Sequence, residues 1–228
     1  MSTLAENISA ISARIDNAAR AAGRDPASLQ LLAVSKTKPA SAIREAHGCG
    51  LRDFGENYLQ EALTKQKELS DLPLIWHFIG PIQSNKTKAI AEHFDWVHSV
   101  DRLKIAQRLS EQRPAKLPPL NICLQVNVSG EDSKSGCAPA ELPALAQAVN
   151  ALPGLRLRGL MAIPEPTDDR TEQEAAFATL RKLQERLDLG LDTLSMGMSH
   201  DLEAAISQGA TWVRIGTALF GARDYGQP

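Results

Sequence analysis

The stretch Leu31-Leu32-Ala33-Val34-Ser35-Lys36-Thr37-Lys38-Pro39 decides the fold. An apolar run of strand length leads into polar residues and a proline, with no glycine in the turn. An open, doubly wound α/β sheet usually places a glycine-rich turn after its first strand. Its absence favours the closed alternative, the α/β barrel, over the open sheet.

The rest of the chain keeps the same rhythm of short apolar run and helical stretch. After Leu29–Val34 comes Ala40–His47; Asp53–Gly55 precedes Tyr58–Leu69; Leu74–Ile79 precedes Lys86–His93; Trp96–Val100 precedes Leu103–Gln112. The second half continues with Leu120–Val126 and Ala140–Leu152, Leu155–Leu160 and Glu172–Leu187, Thr193–Ser195 and Leu202–Gln208, and then Trp212–Ile215. These are the eight strands of a (β/α)8 TIM-type barrel, seven of them followed by clear helices. Leu4, Ile8, Ile11, Ile15 and Ala18 recur at helical spacing before the first strand. The reading is a single barrel domain over residues 1–228 with an extra N-terminal helix, placed to fill the position of a full eighth helix. Pro114–Pro119 and Pro164–Pro166 read as loops, and no stretch reads as a linker.

Composition narrows the function. The 228 residues carry a net charge of -2, with 43% hydrophobic and 23% charged residues. That balance excludes roles needing a strong basic field, so no nucleic-acid or membrane-surface partner is expected. The pairs Lys65/Lys67 and Lys86/Lys88 read as solvated helix faces. Cys49, Cys123 and Cys137 lack metal-ligand spacing and read as reduced thiols. With no signal peptide and no apolar run near the ~20 residues of a spanning helix, a cytoplasmic protein is expected. Aromatics at 4% argue against an exposed docking patch.

Barrels carry function where strands end, on the C-terminal face. The strand ends bring up Lys36, Asn57, His77, Asn127, Met161, the run Ser195-Met196-Gly197-Met198-Ser199, and Arg214 with Gly216-Thr217. Lys36 emerges directly from an apolar strand, and burial at a barrel mouth is one way to make a lysine nucleophilic toward an aldehyde. Barrels often hold phosphate in the loops after strands seven and eight. Met198 and Ser199 stand at the first of these, entering a helix, and Gly216 and Thr217 at the second. A lysine and a phosphate cradle on one face suggest a phosphorylated aldehyde.

Several motifs occur in order: Ala33-Val34-Ser35-Lys36-Thr37-Lys38, Phe54-Gly55-Glu56-Asn57-Tyr58, the segment from Trp76-His77-Phe78 through Asn85-Lys86, Gln125-Val126-Asn127-Val128, Gly159-Leu160-Met161, Leu194–Ser199 and Val213–Thr217. Together they resemble the pyridoxal phosphate homeostasis protein family, which shares its fold with the N-terminal barrel of alanine racemase. The resemblance covers essentially the whole chain. It implies pyridoxal 5′-phosphate (PLP) held as a Schiff base on Lys36, with phosphate contacts from Ser199, Gly216, Thr217 and the backbone near Met198. It also implies Arg214 near the pyridine nitrogen, with Asn57, His77 and Met161 lining the cofactor. Lys38 and Lys134 resemble further lysines near the family's site, the latter in a loop, Ser129–Gly136, whose composition reads as mobile.

Two functions compete under this resemblance. One is a PLP carrier in vitamin B6 homeostasis, with apo PLP-dependent enzymes as partners. The other is an amino-acid racemase. An arginine at the pyridine nitrogen leaves it unprotonated and weakens the electron sink. The racemase also takes a second base, a tyrosine, from a further domain across a dimer interface. Here the chain ends at Pro228, and its only tyrosines, Tyr58 and Tyr225, do not match that position. The expectation is therefore a monomeric carrier without an established reaction.

Overall fold

The computed structural model describes residues 2–130 and 135–221. Its eight strands close into one parallel barrel in sequence order. They are β1 (Gln30–Val34), β2 (Asp53–Glu56), β3 (Ile75–Phe78), β4 (Trp96–Val100), β5 (Leu120–Gln125), β6 (Leu155–Met161), β7 (Thr193–Ser195) and β8 (Trp212–Ile215). Closure is made by β1 against β8, where Leu31 pairs with Val213 and Ala33 with Ile215. The expected (β/α)8 barrel is present, and no strand end differs from expectation by more than one residue.

The helices between strands are α2 (Ala40–Gly48), α3 (Leu59–Glu68), α4 (Thr87–His93), α5 (Leu103–Gln112), α6 (Leu142–Asn150), α7 (Arg170–Leu187) and α8 (Leu202–Ser207). Before them runs α1 (Leu4–Ala21), and after β8 a single turn, α9 (Thr217–Phe220). A capping box starts α1: Glu6 N–H donates to Thr3 Oγ1 at 3.2 Å and Thr3 N–H to Glu6 Oε2 at 2.7 Å. Its buried stripe is Ile8, Ile11, Ile15 and Ala19. That face packs on α8, α9 and α2, so α1 does occupy the outer place of an eighth helix.

Strands buried on both faces sort their residues by alternation. Ala33, Phe54, Phe78, Val97, Ile122 and Leu124 point outward into the layer shared with the helices. Leu32, Ile79, Trp96, Cys123, Met161 and Trp212 form a separate cluster inside the barrel. Near the strand starts the Trp96 and Trp212 rings lie 5.7 Å apart, and Arg158 Cζ sits 4.7 Å over Trp96. A bidentate pairing with Asp192 at 2.9 Å anchors that guanidinium. The bottom is thus plugged, and access is left to the opposite mouth.

Lys65 does not belong to a solvated face. It is buried on α3 and paired with Glu56 at 2.8 Å, whereas Lys67 is exposed. A helix one turn from the barrel wall can aim one cation inward while its neighbour two residues on faces water.

Candidate functional site

Lys36 lies one residue beyond the buried Ser35, at the C-terminal end of β1, and is half-buried. The backbone around it is fixed from several sides. Ser35 N–H donates to the Gly55 carbonyl at 3.0 Å, and Lys38 N–H returns to the Ser35 carbonyl at 3.1 Å. Thr37 adopts a left-handed φ of 64°, costly for a β-branched residue. Its amide donates to Glu61 Oε1 at 2.6 Å. Beneath the turn, Glu56 Oε1 accepts from Ser35 Oγ at 2.6 Å and from Lys65 Nζ at 2.8 Å. Burial pushes the Glu56 carboxyl up, against the pull of Lys65.

The turn opens onto a cleft lined by Val34, Lys36, Thr37, Lys38, Gly216 and Thr217. Gly216 packs closely there: a Cβ would stand 3.3 Å from the Val34 carbonyl oxygen, tighter than ordinary packing. The β8–α9 turn therefore closes against β1. Thr217 leads α9, so its amide and that of Ala218 precede any carbonyl of the helix that could accept from them.

The loop after β7 differs in part from expectation. Gly197 takes a φ of 95°, and a Cβ on it would lie 2.5 Å from the Ala205 Cβ. Its carbonyl accepts from Arg214 N–H at 2.9 Å, joining this loop to β8. Ser199 does not enter a helix directly, since α8 starts only at Leu202. Met198 N–H donates to Asp201 Oδ1 at 2.6 Å, because the aspartate turns back on the loop instead of capping α8. Met198 and Ser199 do not line the Lys36 cleft.

Arg214 is buried below this mouth. Nη1 donates to Ser195 Oγ at 2.9 Å and Nη2 to the Ala162 carbonyl at 3.0 Å. Burial pulls its pKa down to about 10, so it remains charged at neutral pH. Met161 belongs to the inner apolar cluster, and Asn57 keeps a buried Oδ1 without a donor.

His77 is not at the mouth. It stacks on Trp96 at 5.5 Å, 4.9 Å from Trp212, with Nδ1 2.9 Å from His98 Nε2 and Nε2 2.9 Å from Asp53 Oδ1. His98 Nδ1 in turn lies 2.7 Å from Ser195 Oγ. The strand-end reading took His77 for a rim residue, but Ile79 follows it on the same inward row and stands nearer the rim. Asp53, His98 and Lys65 were not singled out as site residues. The inward alternation within β3 and β4 is the signal that could have found His98. Lys134 lies outside the described residues.

The fold and this mouth define an α/β barrel carrying a lysine after its first strand, against a glycine-led turn after its last, with a buried arginine on that last strand. A family model for the alanine racemase N-terminal domain matches residues 7–224. The pyridoxal phosphate homeostasis protein of Pseudomonas aeruginosa is 80% identical over 228 residues, covering 100% of this chain and 99% of the relative. The Escherichia coli protein of that name is 54% identical over 235 residues, covering 99% of each. PipY of Synechococcus elongatus, solved with PLP bound, superposes with a TM-score of 0.84 at 42% identity, covering 96% of this chain and 100% of that one. Alanine racemase of Corynebacterium glutamicum, at a TM-score of 0.67 and 18% identity, shares the fold over 96% of this chain and 63% of its own. The chain belongs to the pyridoxal phosphate homeostasis protein family, on an alanine racemase N-terminal-type barrel.

Proposed function

We propose that this protein binds PLP at the barrel mouth, holds it as a Schiff base on Lys36, and serves as a carrier in PLP homeostasis. The observation that carries the reading is the common cleft of Lys36 with Gly216 and Thr217. PLP binding by PipY and the naming of the close relatives point the same way.

The residues present fit such a group. Lys36 supplies the amine, and the Thr217 turn supplies amides and a hydroxyl to a phosphate. Asn57 Oδ1 is a buried acceptor able to take a donor from a ligand. Arg214 offers further N–H groups for a ring nitrogen. In this reading Ser199 and the backbone at Met198 approach the phosphate from the β7–α8 loop, outside the cleft that Thr217 lines, Met161 forms the apolar floor, and His77 acts from beneath. When bound, PLP supplies an aldehyde that joins an amine with loss of water and a ring that withdraws electrons.

A charged arginine donates a hydrogen bond to a ring nitrogen without giving up its proton, which suits storage better than carbanion chemistry. Tyr58, the described candidate for a second base, is 52% exposed. We therefore favour a carrier over a racemase, a cytoplasmic monomer acting as one domain over 1–228, with apo PLP-dependent enzymes as recipients. Among the described residues no helix is long and apolar enough to cross a membrane. The test is an absorbance spectrum before and after borohydride reduction, with peptide mapping. A yellow band trapped on Lys36 is expected; a protein left colourless by excess PLP would overturn the reading.

A further inference from the structure

Five side chains form a continuous hydrogen-bonded line through the barrel, from Arg214 near the mouth to Asp53 at the start of β2. Chemistry fixes the direction of every proton along it. A guanidinium only donates, so Ser195 Oγ accepts from Arg214. The serine proton then goes to His98, which must present a bare Nδ1. His98 therefore carries its proton on Nε2 and donates it to His77 Nδ1. His77 likewise carries its proton on Nε2 and donates to the Asp53 carboxylate, which only accepts when ionised.

One pattern satisfies every member of the line, with a cation at one end, an anion at the other and two neutral imidazoles between. Protonating His77 would reverse it. His98 would be forced to carry its proton on Nδ1, and the Ser195 hydroxyl would lose its acceptor. The surroundings oppose that reversal. His77, His98 and Ser195 are fully buried, walled by Trp96 and Trp212, and only the Asp53 end reaches solvent, at 20% exposure. The titratable and charged groups acting on the imidazoles are Asp53 and Asp95 on His77, and His77 and Arg214 on His98.

We propose that Ser195, His98, His77 and Asp53 are positioning residues that lock the Arg214 guanidinium in one orientation, making it a fixed hydrogen-bond donor toward the cofactor. This rests on the reading of Arg214 as the partner of the PLP ring nitrogen. The buried surroundings strengthen each link, and an unlocked guanidinium would have to find other acceptors there.

The test combines nitrogen NMR of the ligand-free protein with PLP titrations of His98→Leu and His98→Gln. In the wild-type protein both imidazoles should show a protonated Nε2 and a bare Nδ1 across the neutral range. His98→Leu should bind PLP roughly tenfold more weakly, the equivalent of one charge-assisted hydrogen bond. The pH profile of its absorbance band should shift as well. His98→Gln, whose carboxamide keeps one acceptor and one donor, should recover most of both. A proton on Nδ1 of either wild-type histidine overturns the proposal. So does a His98→Leu protein with wild-type affinity and band. A wild-type protein that takes up no PLP would instead refute the functional reading, while the imidazole spectrum still reports on the line itself.

Discussion

Lys65 Nζ lies 2.8 Å from Glu56 Oε1 and 2.8 Å from the carbonyl of Ser35, so a helix cation and a strand anion together grip the residue before Lys36. The same ammonium donates to Glu61, whose carboxylate receives the amide of Thr37 on the other side of Lys36. The turn that presents Lys36 is thereby held at both flanks, which offsets the cost of the left-handed Thr37.

Removing one member of that grip leaves the other charge buried and alone. Lys65→Met is expected to cost about 3–5 kcal/mol in urea unfolding, whereas joint replacement of Glu56 and Lys65 by apolar residues recovers most of it. A loss below about 1 kcal/mol, the scale of an exposed pair, would contradict the buried clamp.

Lys36→Ala should remove PLP trapping by borohydride while changing stability by less than about 1 kcal/mol, since the side chain is only half-buried. Mass spectrometry of reduced samples checks the first part and thermal melting the second. PLP still trapped at full stoichiometry on another lysine would refute the assignment.

The two barrel histidines make stability sensitive to acid. Burial is the main cause holding both below the usual imidazole value. The unfolded chain therefore takes up protons below about pH 6.5 that the folded chain refuses. More protons on the unfolded side mean that stability rises with pH in that range. It should be flat above about pH 6.5 and fall below it, by up to roughly 1.4 kcal/mol per pH unit for each histidine. Urea midpoints measured across this window test the slope, and His98→Gln should lessen it.

Gly197→Ala combines a positive φ with a Cβ 2.5 Å from that of Ala205. A loss of about 1–3 kcal/mol is expected, together with weaker PLP binding, because the Gly197 carbonyl tethers Arg214. Calorimetry and PLP titration on the same sample would show whether the two effects travel together.

Thiol labelling should find one fast cysteine. Cys49 is exposed, while burial pushes Cys123 up to about 12 and Cys137 to about 11. Rapid labelling of all three in the folded protein would mean that the barrel opens easily.

Much of this was legible along the chain. The alternation of apolar runs and helical stripes located all eight strands, and α1 in its outer place follows from Ile8, Ile11 and Ile15. Lys36, Gly216 and Thr217 were read from strand ends, and the structure brings them to one cleft. Met198 and Ser199 were read as entering a helix directly after β7, yet the loop runs on to Leu202 with Asp201 bound to Met198.

What the sequence determined by itself is the set of properties with a local period: strand, helix, the order of the barrel, and the lysine that emerges where an apolar strand stops. Only the tertiary structure decided that Lys65 turns inward to Glu56, that His77 meets His98 instead of the mouth, and that His98 in turn meets Ser195. Those partners stand 9, 21 and 97 residues apart along the chain. Hydrogen bonds and buried charges are settled by which atoms face each other once the barrel closes, and that depends on register and closure.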